Sequence, residues 1–423
     1  MVRKPGAHLV YLILSGGIQL ANTLVFTVLA VYYVTAAGLS PLQLVLVGTV
    51  LEGTIVLFEV PTGVVADTFS RRLSVIIGMF VLGAAFVLEG SLPLFAGILL
   101  AEAIRGVGET FLSGALDAWL ADEVGEAEVG RAFLRGGQVR RLVGLFAIPA
   151  SAGLATIALP LPILLGGGVY LALGLFLALA MPEAGFRPTP RGERSSWRAT
   201  RDTLRDGARV VRGRPLLLTL LAVSLVAGAA SEGFDRLWEA HFLRGFAFPG
   251  AGRFEPVVWF GIIGTLASVA ALIVTQLFRR RLEAVSRDPS ATARVLLGLN
   301  ALTIVSIAVF ALAGNFPLAL GAYLVKATAD ALFYPLNRAW LTQNIDPQVR
   351  ATVLSMSGQA NALGQTAGSP GVGAVGNRSL RAAIGLSGLL LSPTLALYAM
   401  AMRRGRPAPV QADGQGRTTL PES

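Results

Sequence analysis

The chain has 423 residues, of which 54% are hydrophobic and 14% charged, against about 25% charged in an ordinary soluble domain. A mean hydropathy of +0.65 leaves too much apolar surface for one or two water-soluble cores, so an all-α polytopic membrane protein is expected. Zero Cys and two His, His8 and His241, exclude a disulfide framework and argue against a metal site, and no cofactor is expected.

Apolar runs of spanning length fall at 8–34, 42–66, 73–92, 94–121, 132–157 and 163–182, then at 215–240, 256–278, 293–313, 316–342, 351–373 and 379–402. These predict twelve transmembrane helices in two pseudo-symmetric bundles, 1–182 and 215–402, joined by a linker at 183–214. The first run follows Arg3 and Lys4, but it is much longer than the apolar part of a secretory leader and carries Gln19 and Asn22 midway, so it reads as a retained helix. Gln19, Asn22 and Phe26 share one face of it and are expected to line a cavity.

In the second run Glu52 lies near mid-depth with no basic residue at its level, which makes it a proton-coupling candidate. Glu59 is seven residues on, just before Pro61, where a kink is expected. The fourth run is the richest in charge. At 100° per residue, Glu102, Arg105, Glu109, Ser113 and Asp117 share one arc. Both Glu102 and Glu109 can reach Arg105, and one base between two acids leaves a spare carboxylate able to exchange protons. Glu59 and Asp117 match Arg140 and Arg141 of the fifth run in depth, which suggests an inner-side salt-bridge network.

The linker contains SWRATRDTLRDGARVVR. As a helix it would put Trp197, Leu204, Ala208 and Val211 on one face and mostly Arg and Asp on the rest, suited either to the anionic surface of a bilayer or to solvent. The seventh run carries Glu232, Asp235 and Arg236 near one end, with Trp238, Glu239 and His241 beyond. Asp235 and Arg236 suggest an outer gate or rim. In the tenth, Lys326, Asp330, Phe333 and Asn337 share a face. Lys326 is one of two Lys beside 33 Arg, which suggests a need for a compact charge that can lose its proton. The eleventh offers Gln359, Asn361 and Gln365. The tail, 403–423, has a disordered composition.

Basic residues gather on one side: Arg3, Lys4, Arg71, Arg72, Arg131, Arg135, the linker, Arg279 to Arg281, Arg350 and Arg403 to Arg406. The net charge of +10 therefore reads as orientation, with both termini cytoplasmic in the plasma membrane, and nucleic acid is not an expected partner. The halves also repeat. An offset of 221 residues superposes LDAWL (116–120) on NRAWL (337–341), Arg105 on Lys326 and Glu109 on Asp330. Duplicated six-helix halves with a site between them are a transporter plan.

The segment Gly63-Val-Val-Ala-Asp67-Thr-Phe-Ser-Arg71-Arg72, after the second span of a six-plus-six plan, resembles the loop signature of the major facilitator superfamily. Thr68 and Ser70 depart from its pattern, and Glu102 to Gly106 and Ile148 to Gly153 keep only part of its fourth- and fifth-span patterns. The resemblance implies alternating access around a central cavity. It also implies that Gly63, Asp67, Arg71 and Arg72 form a loop bracing the cytoplasmic face, with a partner expected near Arg350. Drug:proton antiporters are common in that family, so the leading expectation is proton-coupled efflux of amphipathic organic compounds by a monomer. Glu52, Glu102, Glu109 and Asp330 are then the proton-coupling candidates, and Arg105, Lys326, Gln19, Asn22, Phe26 and Asn337 the cavity residues. Uptake or facilitated diffusion of a small anionic metabolite, with Arg105 and Lys326 as its binding charges, is the alternative, and a non-transporting sensor the remote one. No soluble catalytic domain or GxSxG elbow points to an enzyme.

Overall fold

The computed structural model describes residues 6–187, 215–250, 256–345 and 350–404. Helices supply all the regular structure of the described residues. In the first half, α1 (Ala7–Phe26) continues through a short turn and a π-turn, Tyr32–Ala36. It is followed by α2 (Pro41–Thr68), α3 (Arg71–Ser91), α4 (Phe95–Leu112), α5 (Ala115–Val124), α6 (Glu126–Ile157) and α7 (Leu161–Ala180). The second half comprises α8 (Pro215–Gly245), α9 (Pro256–Val285), α10 (Pro289–Leu312), α11 (Phe316–Asn344), α12 (Arg350–Gly376), α13 (Leu380–Leu391) and α14 (Pro393–Arg404). The amphipathic stretch expected in the linker and nearly all of the tail lie outside the described residues.

Ten helical segments of the described chain are long and apolar enough to cross a bilayer. The other two of the twelve expected crossings are those the sequence loads with polar groups: α4 with α5, and α12. Local signals set the ends. Ser40 and Gln43 form a reciprocal capping box ahead of Pro41, and Ser70, Asp288, Asn315 and Ser379 cap the helices that follow them.

The fourth crossing departs from the single helix read in the sequence. It breaks at Ser113, and Gly114 takes a φ of 71°, a conformation that suits a residue without Cβ. The break cancels the projection that put Asp117 on the arc of Glu102 and Arg105. Asp117 is exposed.

Within each half the helices pack side by side, α1 on α6 and α7, α3 on α4 and α7, α8 on α12 and α13, and α10 on α11. The halves meet mainly through α2 on α12 and α6 on α9. Two hydrogen bonds join them among the described residues. Arg244 Nη2 donates to the Leu39 carbonyl at 2.8 Å, and the Leu42 amide donates to Asn377 Oδ1 at 3.0 Å. Both lie at the end opposite the Asp67–Arg72 loop. At the loop end the described ion pairs stay within one half, as in Arg71–Asp122 and Arg279–Glu283. Among the described residues the halves are thus tied by hydrogen bonds at one end and not at the other.

Candidate functional site

A buried polar cluster lies near the tied end of the first half. Glu89 on α3 and Glu102 and Arg105 on α4 are 1%, 0% and 3% exposed. Arg105 Nη2 donates to Glu102 Oε2 at 2.7 Å, and the guanidinium lies 5.3 Å from the ring centre of Phe26 and 5.8 Å from that of Phe86. The π-turn sends two successive tyrosines to the same carboxyl-bearing residue. Tyr32 donates to the Glu89 carbonyl at 2.8 Å, while the Tyr33 hydroxyl contacts Glu89 Oε1 and lies 3.1 Å from Glu102 Oε1.

That geometry constrains the protons. A phenol has one hydrogen to donate, so it can satisfy one carboxylate; its contact with the other is favourable only when that carboxyl is protonated and donates. Arg105 is the single base ion-paired to the cluster, against two carboxyls. One proton on the Glu89–Glu102 pair therefore makes the cluster neutral and gives the Tyr33 hydroxyl one acceptor and one donor.

Glu89, Tyr32 and Tyr33 were not among the residues singled out in the sequence. Glu109, expected to share Arg105, is half-buried and makes no ion pair among the described residues, because the guanidinium turns toward Glu102 and the Phe26 and Phe86 rings. Glu52 is also half-buried without an ion pair among the described residues, one turn along α2 from Gly48, which faces Glu232 and Arg236 of α8.

The second half builds a different arrangement. Lys326 Nζ lies 3.1 Å from Asp330 and 3.3 Å from Asp235, and 4.2 Å from the ring centre of Phe234. Thr303 donates to Asp330 at 3.3 Å. The Lys326–Asp330 pair expected from the repeat is formed, whereas its counterpart Arg105–Glu109 is not. These groups border a cavity of about 270 Å³ lined also by Asn300, Asn337, Asn361, Gln365 and Tyr398. Asn337 is held there by a 2.9 Å hydrogen bond from Tyr398.

A cavity of about 320 Å³ opens between the halves. Gln19, Asn22 and Phe26 line it, as the stripe on the first run predicted, opposite Trp238, Glu239 and Tyr323. Asn22 is oriented by Tyr170, which donates at 2.7 Å, and Gln19 by a 2.9 Å hydrogen bond to Thr23. Asp235 and Arg236 do not pair as the expected gate. Arg236 instead binds Glu232, one turn earlier on α8, at 2.7 Å. The absent side chain of Gly48 makes room for that pair, since a Cβ there would collide with the Glu232 carboxylate and lie 2.6 Å from Arg236 Nε.

One further expectation is corrected. Glu59, Asp117, Arg140 and Arg141 form no ion pair with one another among the described residues. Glu59 accepts from Ser113 at 2.9 Å and Arg140 reaches Ser15 at 3.5 Å. The kinked fourth crossing and the outward turn of Arg141, which is exposed, keep the four apart. In the loop, Asp67 is largely exposed and 3.9 Å from Arg71. No described side chain of the second half pairs with it. Arg71 is held by Asp122 and by the Ala118 carbonyl at 3.1 Å, and Glu183 accepts from Ser70 and from the Arg72 amide. Within the described residues the loop is held by Asp122 and Glu183 of the same half, and the side chains around Arg350, where a partner was expected, lie outside the described residues. Gly63 has no neighbour crowding the position of a side chain.

Comparison with known proteins places this architecture. A family model described as Major Facilitator Superfamily matches residues 11–369. An uncharacterized MFS-type transporter of Bacillus subtilis (strain 168), YxaM, is 21% identical over 342 residues, covering 81% of this chain and 82% of that protein. Among solved structures, the nucleoside transporter NupG superposes with a TM-score of 0.71 at 14% identity, covering 96% of this chain and 100% of that one. A bacterial homologue of the human lysosomal transporter Spinster, in an inward-facing and unoccupied conformation, gives 0.68 at 16% identity, covering 95% and 98%. With its two helical halves and a family match over most of its length, the chain belongs to the major facilitator superfamily and is a multi-pass membrane transporter.

Proposed function

We propose that the protein is a secondary active transporter that exchanges protons for an amphipathic organic compound, exporting the compound by alternating access between residues 1–182 and 215–402. The observation that carries this reading is the Tyr33 hydroxyl placed between two buried carboxyls that share one base. An ionised carboxylate without a partner inside a membrane costs at least about 2.5 kcal/mol. With the proton present, the cluster can be sealed from water; without it, the tied end is favoured to open and hydrate the extra charge.

The basic loops orient the Asp67–Arg72 end toward the cytoplasm. The described state, tied at the other end, is then inward-facing, with both termini cytoplasmic and a monomer in the plasma membrane as the working unit. The reading as an anion carrier is weakened because both of its binding charges are engaged, Arg105 by Glu102 and Lys326 by Asp235 and Asp330. The relatives named as a nucleoside transporter and as a homologue of a lysosomal transporter do not choose a substrate chemistry for this chain. The test is flux in proteoliposomes of a panel of cationic, neutral and anionic solutes under an imposed pH gradient. An acidic lumen should drive accumulation of at least one solute, and Glu89→Gln should abolish that drive. Flux indifferent to the gradient would remove the proton from the mechanism.

A further inference from the structure

The cavity between the halves has a chemistry of its own. Its second-half wall is a stacked pair of rings, Trp238 and Tyr323, with centres 4.2 Å apart and planes 21° from parallel. Phe26 and Phe260 add further aromatic surface. Glu239 joins this wall, half-buried, and no base lies within ion-pairing distance of its carboxylate among the described residues. The bases around it are engaged: Arg236 with Glu232, Lys326 with Asp235 and Asp330, and His241 with the Phe310 carbonyl. Four carboxyls, Glu232, Asp235, Glu239 and Asp330, thus face two bases, and the surplus negative charge falls on the aromatic cavity. The rest of the lining, including Gln19, Asn22 and Thr23, is neutral.

We infer that this cavity binds an organic cation carrying an aromatic ring, with Glu239 as its counter-charge and the Trp238–Tyr323 stack as its face. A cation over a desolvated aromatic face is attracted by the negative faces of the rings, and an unpaired carboxylate within a low-dielectric wall is stabilised by the same charge. An anion would meet the surplus carboxylate and the negative faces of the rings. The volume of about 320 Å³ suits a ligand of one or two rings. This inference rests on the transporter reading but not on the proton.

Glu239 also borders a smaller cavity of about 170 Å³ shared with Tyr33 and Arg236. The cation site therefore adjoins Tyr33, whose hydroxyl contacts both buried carboxyls. A cation drawn to Glu239 and a proton taken up at Glu89–Glu102 would compete through this shared space, which is the arrangement exchange requires.

The experiment is equilibrium binding to the purified full-length protein. The probe is 1-methyl-4-phenylpyridinium, which has a fixed charge; biphenyl-4-carboxylate is an anion of similar shape. The wild type should bind the cation and quench tryptophan fluorescence, and should bind the anion at least about tenfold more weakly. Glu239→Gln should weaken the cation at least about tenfold while Glu239→Asp retains most of the affinity. Because Glu239→Gln could perturb folding, Trp238→Leu provides a second variant, expected to weaken the cation with the carboxylate in place. Unchanged affinity in Glu239→Gln, preference for the anion, or no cation binding by the wild type would each overturn the site. Cation binding that depends on Glu239, in a protein whose flux ignores a pH gradient, would sink the proton coupling and leave this site standing. Proton-driven flux of a neutral solute with no cation binding would do the reverse.

Discussion

The hydroxyl of Tyr33 lies 3.1 Å from Glu102 Oε1 while also contacting the Glu89 carboxyl, although the two acids come from different helices and neither is exposed by more than 1%. A single phenolic hydrogen cannot serve two carboxylates. In the proposed function this relationship ties proton occupancy to the closure of one end of the molecule.

Removing the phenol should uncouple the two acids. Tyr33→Phe keeps the ring but leaves both carboxyls without their shared partner, each at a cost of about 1–3 kcal/mol. Pumping against a pH gradient is expected to fall by at least about tenfold, while solute exchange without a gradient persists. The pair of flux measurements checks this, and equal loss in both would make Tyr33 merely structural.

Arg105 neutralises Glu102 in a dry site, and taking away one member of such a pair costs about 3–5 kcal/mol. Arg105→Gln should lower the thermal midpoint of the purified protein clearly. The double variant Arg105→Gln with Glu102→Gln should recover part of that loss, because no lone buried charge remains. A midpoint lower in the double variant than in the single would contradict the pairing.

The Gly48 contact predicts a change of state rather than of stability. A side chain at Gly48 displaces the Glu232–Arg236 pair from its seat on α2 and wedges the tied end apart. Gly48→Val should increase labelling of a cysteine placed at this end, for example in Leu44→Cys, by a membrane-impermeant maleimide. The chain has no cysteine of its own, so the background is clean. Unchanged labelling would show that the outer contact closes elsewhere.

Much of the fold was legible because apolar runs of about 20 residues report crossings directly. The cavity stripe Gln19–Asn22–Phe26 and the Lys326–Asp330 pair were legible too, because each lies on one continuous helix where residue spacing gives the face. What escaped depends on departures from that rule. The π-turn at Tyr32–Ala36 shifts the helical register and so hid the pointing of two tyrosines to Glu89. The positive φ at Gly114 broke the arc that was to carry Asp117 into the bundle. Glu89 has no hydrogen-bond partner at helical spacing, as Tyr32 and Tyr33 lie 57 and 56 residues earlier. The cost of an acid inside a span was a signal for it as much as for Glu102. Arg71 found Asp122 and Glu183 braces the same loop through Ser70 and Arg72, contacts across sequence distances that no local pattern encodes.

The most direct test of the central claim, that a proton on the Tyr33–Glu89–Glu102 cluster holds the outer end shut, needs no substrate. Spin labels at Ala36→Cys and Ala247→Cys report the tied end, and labels at Phe69→Cys and Arg287→Cys report the loop end. Distances are measured by pulsed electron paramagnetic resonance in nanodiscs from mildly acidic to alkaline pH. A carboxyl is neutral when protonated, so acid should favour the described state, with the Ala36–Ala247 distance short and the Phe69–Arg287 distance long. Alkaline pH should lengthen the first and shorten the second, and Glu89→Gln, permanently neutral, should keep the acid distances throughout. Distances independent of pH in the wild type, or a Glu89→Gln variant that still opens in alkali, would contradict the account.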